Sequence, residues 1–199
     1  MSKLPRGEDH RSADHEIESL FVRRWSPRAM SGDSLETEEI MRLFEAARWA
    51  PSTYNEQEWR FLYARRRDGG HWDRFFRLLA DGNQAWCGQA ALLGCVLSHE
   101  VFEKNGKPNP VHVFDSGLAY MSLALQGSEM GLVVHGMQGF DADSARDVLA
   151  VPDDYSVNAM FAVGRPGDPD ALPESHRKLE KPSGRKPVDQ IACEGPFDF

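Results

Sequence analysis

No stretch of this sequence approaches the roughly 18–20 consecutive apolar residues that a membrane-spanning helix needs, so no membrane is expected as a partner. The opening MSKLPRGEDHRSADHE has no apolar run behind its basic residues. We therefore expect no secretory signal, and a flexible polar lead-in over residues 1–14. Cysteine is scarce. Cys87, Cys95 and Cys193 are odd in number and lack CxxC spacing, which argues against a disulfide scaffold or a zinc knuckle. With no leader, a soluble, cytoplasmic protein in a reducing setting is the simplest expectation. Cys95 in ALLGCVL and Cys193 in IAC are expected to be buried small hydrophobes. Positive charge is also in deficit, with 23 Lys and Arg against 31 Asp and Glu. The net charge of -8 argues against nucleic acid, so none is expected as a partner, because the phosphate backbone would repel the chain. Basic residues occur instead in small groups, Arg23/Arg24/Arg28, Arg65/Arg66/Arg67 and Arg185/Lys186, each suited to one small anion.

Several catalytic signatures are missing: GxGxxG, GxxxxGK[ST], HExxH and GxSxG. Gly136 and Gly139 in HGMQG have the wrong spacing for a dinucleotide fingerprint. Any nicotinamide nucleotide is therefore expected to be a transient substrate. His99, His112 and His135 are far apart and form no i,i+4 pair, so they read as loop or surface histidines and no metal is expected.

What is present is an ordinary globular composition, 41% hydrophobic and 27% charged, in a length that suits one domain over residues 15–199. Ile17, Leu20, Phe21 and Arg24 follow helical spacing up to the break at Ser26-Pro27. A clearer helix is expected from Asp33 or Ser34, with Ile40, Leu43, Phe44 and Ala47 on one face and a stop at Pro51. WRFLYAR and ALLGCVL read as strands, separated by a helix in HWDRFFRLLA. EKNGKPNP is a loop. DSGLAYMSLALQGSEMG is the longest helical run, with Asp115 or Ser116 as its expected cap and apolar residues nearly all round, as in a central buried helix. LVVHGMQGF is a strand entering a Gly-rich loop, ADSARDVLAV a helix opened by Asp141 or Asp143, and NAMFAVGRPG a strand. The proline-punctuated tail should cross the surface, and VDQIAC is read as a last edge strand. The pattern is α+β, without regular βαβ alternation.

Three segments suit the binding of an anion and a ring. RRWSPR offers guanidinium groups that could clamp a phosphate, or simply a solvated basic turn. APSTYNEQEW packs Ser52, Thr53, Asn55 and Gln57 between a helix and a strand. Such groups can read the donor and acceptor edge of a flavin ring, or can form an Asx/Ser turn. SGRKP could add a second cationic phosphate contact through Arg185 and Lys186.

In this order the segments resemble the nitroreductase family. RRWSPRAM and EAARWAPSTYNEQEWRF resemble its opening, DSGLAYMSLALQGSEMGLVVHGMQGF its central helix and following loop, and MFAVGRPGD with GRKPVDQI its closing strand and phosphate-binding arginine. The similarity runs from about Arg23 to Ile191. It implies a nitroreductase-like fold, a central mostly antiparallel sheet flanked by helices in an intertwined homodimer, with FMN held between subunits. It implies hydride transfer from NADH or NADPH through FMN to a nitroaromatic, quinone or related electrophile by a ping-pong mechanism. Flavin destruction, dehalogenation, enoyl-type redox chemistry, and flavin storage or sensing without turnover are the alternatives.

By the same resemblance Arg23 and Arg24 contact the phosphate and ribityl region, and Arg28 lies near the N1–C2=O edge. Pro51, Ser52, Thr53 and Asn55 cover the flavin from the second subunit, with Gln57 in the same loop. Asn83 or Gln84 lies by the pyrimidine edge. His135, Gly136 and Met137 face the ring, and Arg185 binds phosphate with Lys186 or Ser183. The flavin carries the chemistry, so no catalytic side chain is expected beyond a possible charge from Arg28. Two positions depart from the pattern. Trp25 stands where a small hydroxyl residue is usual, within an element one residue longer. Glu58 replaces the usual proline and adds a carboxylate beside the loop.

Overall fold

A computed structural model describes residues 4–198. Four strands form one antiparallel sheet: β1 (Trp59–Arg65), β2 (Leu92–His99), β3 (Val133–Met137) and β4 (Tyr155–Gly164), in the order β1-β2-β4-β3. Both faces are covered. Leu93, Cys95, Leu97, Met160 and Ala162 point to one side, where α3 (Gly70–Leu78), α4 (Asp81–Cys87) and α6 (Ala142–Val148) pack. Leu92, Val96, Phe161 and Val163 point to the other, against α2 (Thr37–Arg48) and α5 (His112–Glu129). Side chains alternate across a strand, so a strand buried on both faces reads as the continuous apolar run seen in ALLGCVL. Gly94 pairs with Phe161 in the register. A Cβ on Gly94 would lie 2.2 Å from the Phe161 ring, so the strand leaves a notch that the ring fills.

The sequence pattern finds the strands and the longer helices, but several boundaries differ. The second helix begins at Thr37 rather than Asp33 or Ser34. The Glu36 amide donates to Glu39 Oε2 at 2.9 Å, while Asp33 accepts from the Ser31 hydroxyl in the preceding turn. The long helix begins at His112, and Asp115 is not its cap. The Asp115 amide is already bonded to Val111 O, and its carboxylate accepts from the Thr53 amide at 2.8 Å. Asp141 does cap α6, accepting from the Ser144 amide. The short helix α4 has no counterpart in the sequence reading. VDQIAC is not an edge strand: Val188–Gln190 is a single 3-10 turn after Pro187, tied to the lead-in by Val188 N–H donating to Asp14. Cys193 is exposed, whereas Cys87 and Cys95 are buried, because the tail around Cys193 lies on the surface and not in the core. A short helix α1 (Ser19–Arg23) and a single turn α7 (Glu174–Arg177) complete the helices described. Among the described residues no helix is long and apolar enough to cross a membrane.

Candidate functional site

The turn after α1, the middle of β3 and the C-terminal tail converge on a cleft of about 360 Å³. Arg11, Arg24, Arg28, Lys181 and Arg185 line it, together with His135. Among the described residues the only carboxylate within ion-pair range of these five cations is Glu180, 3.9 Å from the Arg28 guanidinium. Glu180 is buried behind the turn, where its Oε1 accepts from the Arg28 and Ala29 amides at 2.7 and 2.8 Å. Its main task is thus to hold the backbone that presents Arg28. The cations crowd one another. Burial, then Arg185 and Arg24, depress the Arg11 guanidinium. Arg24 is depressed by burial, and Arg185 adds to this. Five like charges in one concave site, on a chain of net charge -8, favour an anionic occupant.

The lead-in takes part in this cleft. Arg11 Nε donates to Ser183 O at 2.7 Å, and its Nη1 donates to Arg24 O at 2.7 Å and Val22 O at 3.2 Å. It thereby ties residues 22–24 to the tail. Gly7 makes this docking close, since a Cβ there would lie 2.4 Å from Arg23 O. Sequence reasoning missed Arg11, and the partners that would have pointed to it stand far along the chain, Ser183 by 172 residues. Lys181 was missed too, although it lies within the basic tail.

His135 donates from Nδ1 to the Pro27 carbonyl at 2.9 Å, since a carbonyl can only accept, and its ring lies 4.6 Å from Trp86. Burial pushes its pKa below the usual histidine range, so the imidazole is neutral at neutral pH. Gly136 lies over Tyr120, and a Cβ there would come within 2.6 Å of the Tyr120 hydroxyl. Burial pushes that phenol up to about 12, with Arg24 pulling the other way.

The residues expected to bind a cofactor fall into separate places. Arg24, Arg28, His135, Ser183 and Arg185 meet in the cleft. Arg23 does not line it, and pairs with Glu129 instead. Lys186 lines a neighbouring hollow between the lead-in and the tail. Met137 is buried, its sulfur 3.4 Å from that of Cys87. Asn83 bonds to Gly139 O and accepts from Trp86. Gln84 bonds to Leu79 O and lines a small concavity beside Met30. Pro51, Ser52, Thr53, Asn55 and Gln57 form a loop that contributes nothing to the cleft. In that loop the Gln57 amide donates to Ser52 Oγ at 3.0 Å, and the Gln57 side chain to Asn55 O at 3.1 Å. Tyr54, Asn55 and Gln57 all have positive φ, 55°, 59° and 53°. Three such non-glycine residues in four positions mark stored backbone strain, which clusters at ligand-binding segments.

Glu58, at the end of this loop, is 1% exposed. Asn109 Nδ2 donates to its Oε1 at 2.8 Å. Burial pushes its carboxyl above the ordinary range, and the nearby Asp115 adds to the rise. Asp115 in turn holds the loop through Thr53.

Known proteins are similar to this chain in sequence and in fold. A family model described as nitroreductase family matches residues 22–85. Protein DrgA of Synechocystis sp. is 27% identical over 209 residues, covering 89% of this chain and 94% of its own. A crystal structure of an oxidoreductase containing FMN is 38% identical, with a TM-score of 0.90 over 94% of this chain and 96% of that one. A nitroreductase family protein from Clostridium difficile 630 shares the fold at 21% identity, with a TM-score of 0.69 over 92% of this chain and all of that one. Conserved fold, the 38% identical relative and the matched segment together place this chain in the nitroreductase family.

Proposed function

We propose that this chain is an FMN-dependent oxidoreductase. The observation that carries the reading is the cleft in which Arg24, Arg28, Arg185, Arg11 and Lys181 converge with one buried carboxylate behind them. The donor set fits a phosphate monoester, because guanidinium forks bind phosphate oxygens bidentately. The 38% identical relative contains FMN, which suits the same reading. Arg24, Arg185 and Arg11 would hold the phosphate, while Arg28 and neutral His135 would lie toward the ring. When bound, FMN would accept hydride from NADH or NADPH and pass electrons to a nitroaromatic, quinone or related acceptor, in ping-pong fashion.

The protein's own part is binding and electrostatics. Arg28, anchored through Glu180, would supply positive charge where negative charge develops on reduction. With no dinucleotide fingerprint in the sequence, donor and acceptor would use one space in turn. We further propose a homodimer in which loop 51–57 of one subunit covers the cleft of the other. The loop is strained and polar and lines no part of its own cleft, and Val113, Phe114 and Trp49 expose 53%, 67% and 74% of their surfaces.

Denaturing the purified protein and chromatographing the released flavin tests the cofactor. FMN is expected, and FAD alone or no flavin would overturn the reading. Arg185→Ala should weaken FMN by about 1.5–3 kcal/mol, the worth of a charge-assisted hydrogen bond, and added FMN should restore its rate. Arg28→Ala should slow flavin reduction even at saturating FMN. Anaerobic stopped-flow mixing with NADH and with NADPH separates an enzyme from a flavin store, since a store is not bleached by either. Parallel double-reciprocal lines are expected with the acceptor, and intersecting lines would exclude a shared space.

A further inference from the structure

Of the three basic groups singled out in the sequence, Arg65, Arg66 and Arg67 form the one that the cofactor reading leaves unused. They line a second concavity of about 380 Å³ with Gly32, Leu35 and Ala91, and it shares no lining residue with the cationic cleft. We infer that this concavity is a separate binding site for a small polyphosphate.

Two of the three guanidinium groups are already positioned. Arg65 Nη1 donates to the Thr37 hydroxyl at 3.0 Å, at the first turn of α2, and Arg66 Nη1 donates to Gly32 O at 3.3 Å. The backbone beneath them is fixed as well. Arg65 is the last residue of β1 and pairs with Leu92, and the Arg66 amide donates to Ala91 O at 3.0 Å. A cation held in this way loses less freedom on binding than a free surface side chain. Gly32 makes the close approach possible. Its φ is +85°, and a Cβ there would lie 2.4 Å from Gln89 Oε1 and 3.0 Å from Arg66 Nη1.

The charge balance points the same way. Among the described residues Asp68 is the only carboxylate in ion-pair range of the triplet, 3.9 Å from Arg67, and Asp33 nearby accepts from the Ser31 hydroxyl. Leu35 and Ala91 are buried apolar residues at the wall of the concavity. Three cations beside an apolar wall suit a chain of phosphates more than a single carboxylate, because each guanidinium can take its own phosphate oxygens.

Calorimetric titration of the FMN-saturated protein with tripolyphosphate and with adenosine triphosphate, at near-physiological ionic strength, tests this. Saturation with FMN keeps the cleft from competing. One polyphosphate per chain is expected. Arg66→Ala/Arg67→Ala, two exposed positions, should weaken it roughly tenfold or more. Gly32→Ala should weaken it too by displacing Arg66, whereas Arg185→Ala should not. Tighter binding of the nucleotide would assign the apolar wall to its base, and equal binding would assign the phosphate chain alone. Absence of saturable binding, indifference to the Arg66/Arg67 change, or equal loss in Arg185→Ala would each overturn the site. In flavin-free protein the open cleft adds a component that Arg185→Ala removes, while the Arg66/Arg67-dependent component persists, so a failure of the cofactor reading is distinguishable from a failure of this one.

Discussion

At the scale of single residues, Glu58 has the most unusual surroundings. It is buried, bonded to Asn109 and close to Asp115, and its carboxyl is raised by burial. A carboxyl whose folded value lies above its ordinary 4.5 holds its proton more tightly in the folded chain than in the unfolded one. Its contribution is complete below that ordinary value and is lost as pH rises through the raised one. Glu58→Gln keeps the shape and the acceptor for Asn109 but cannot ionise. Thermal melts from mildly acidic to neutral pH should show the wild type losing stability relative to Glu58→Gln, and identical slopes would exclude Glu58 as the titrating group. Glu58→Ala should cost about 1–3 kcal/mol throughout, because the Asn109 amide is left buried without an acceptor. The sequence flags Glu58 as an added carboxylate near the loop, but not that it is buried, since Asn109 lies 51 residues on. The same holds for Arg11. Local pattern identifies residue types suited to phosphate, and the long-range hydrogen bonds that select among them are written only in the fold.

Elements were legible where burial imposes a period. The strands β1, β2 and β4 and the helices α2 and α5 carry their apolar residues in the expected places, because each packs on a core that repeats along it. The short helix α4 was not legible. Seven residues give barely two turns, and it is fixed by tertiary contacts such as the Gln84 bond to Leu79 O. The edge-strand reading of VDQIAC failed because apolar character at Val188 and Ile191 does not itself provide a neighbouring strand. Both residues stay exposed. Loop 51–57 is the element whose conformation contradicts its residue types most. Tyr54 sits at φ 55° and is 89% exposed, and its ring meets Phe102 edge-on at 5.9 Å. The left-handed conformation costs a non-glycine residue roughly 1–2 kcal/mol, while glycine costs about 0.5–1 kcal/mol in unfolded-state entropy. Tyr54→Gly should therefore stabilise the folded chain slightly, by up to about 1.5 kcal/mol on these figures. Denaturant unfolding measures it, and a clear loss of stability would show that the turn is held by the tyrosine side chain rather than strained by it.

At the scale of the whole molecule, the order of the segments carries the family, while the pairing of its halves is not written in any one of them. The cleft takes Arg24, Arg28 and Arg185 from the two ends of the chain. The loop at Asn55 is held to α5 through Asp115, and the exposed apolar residues Val113, Phe114 and Met121 lie on that same helix. Within one chain, loop 51–57 lines no part of the cleft, and α5 exposes Val113, Phe114 and Met121. If two copies complete each other, Arg185→Ala damages the cleft and Asn55→Ala damages the cover, each at both sites of its own homodimer. A mixed dimer would then hold one site with both defects and one with neither. Co-expressing the two variants under different affinity tags and purifying through both tags should recover about half the flavin of the wild type. Sites built within one chain would instead give every site of the mixed dimer one defect. Flavin content no higher than the mean of the two variant homodimers would therefore rule out the shared arrangement. Phe114→Glu supplies the complementary measurement, because a carboxylate on the apolar helix face should shift the protein to monomer and lower its flavin content together. A monomer that kept full FMN affinity would separate the cleft from the interface and leave the helix face without a part in the site.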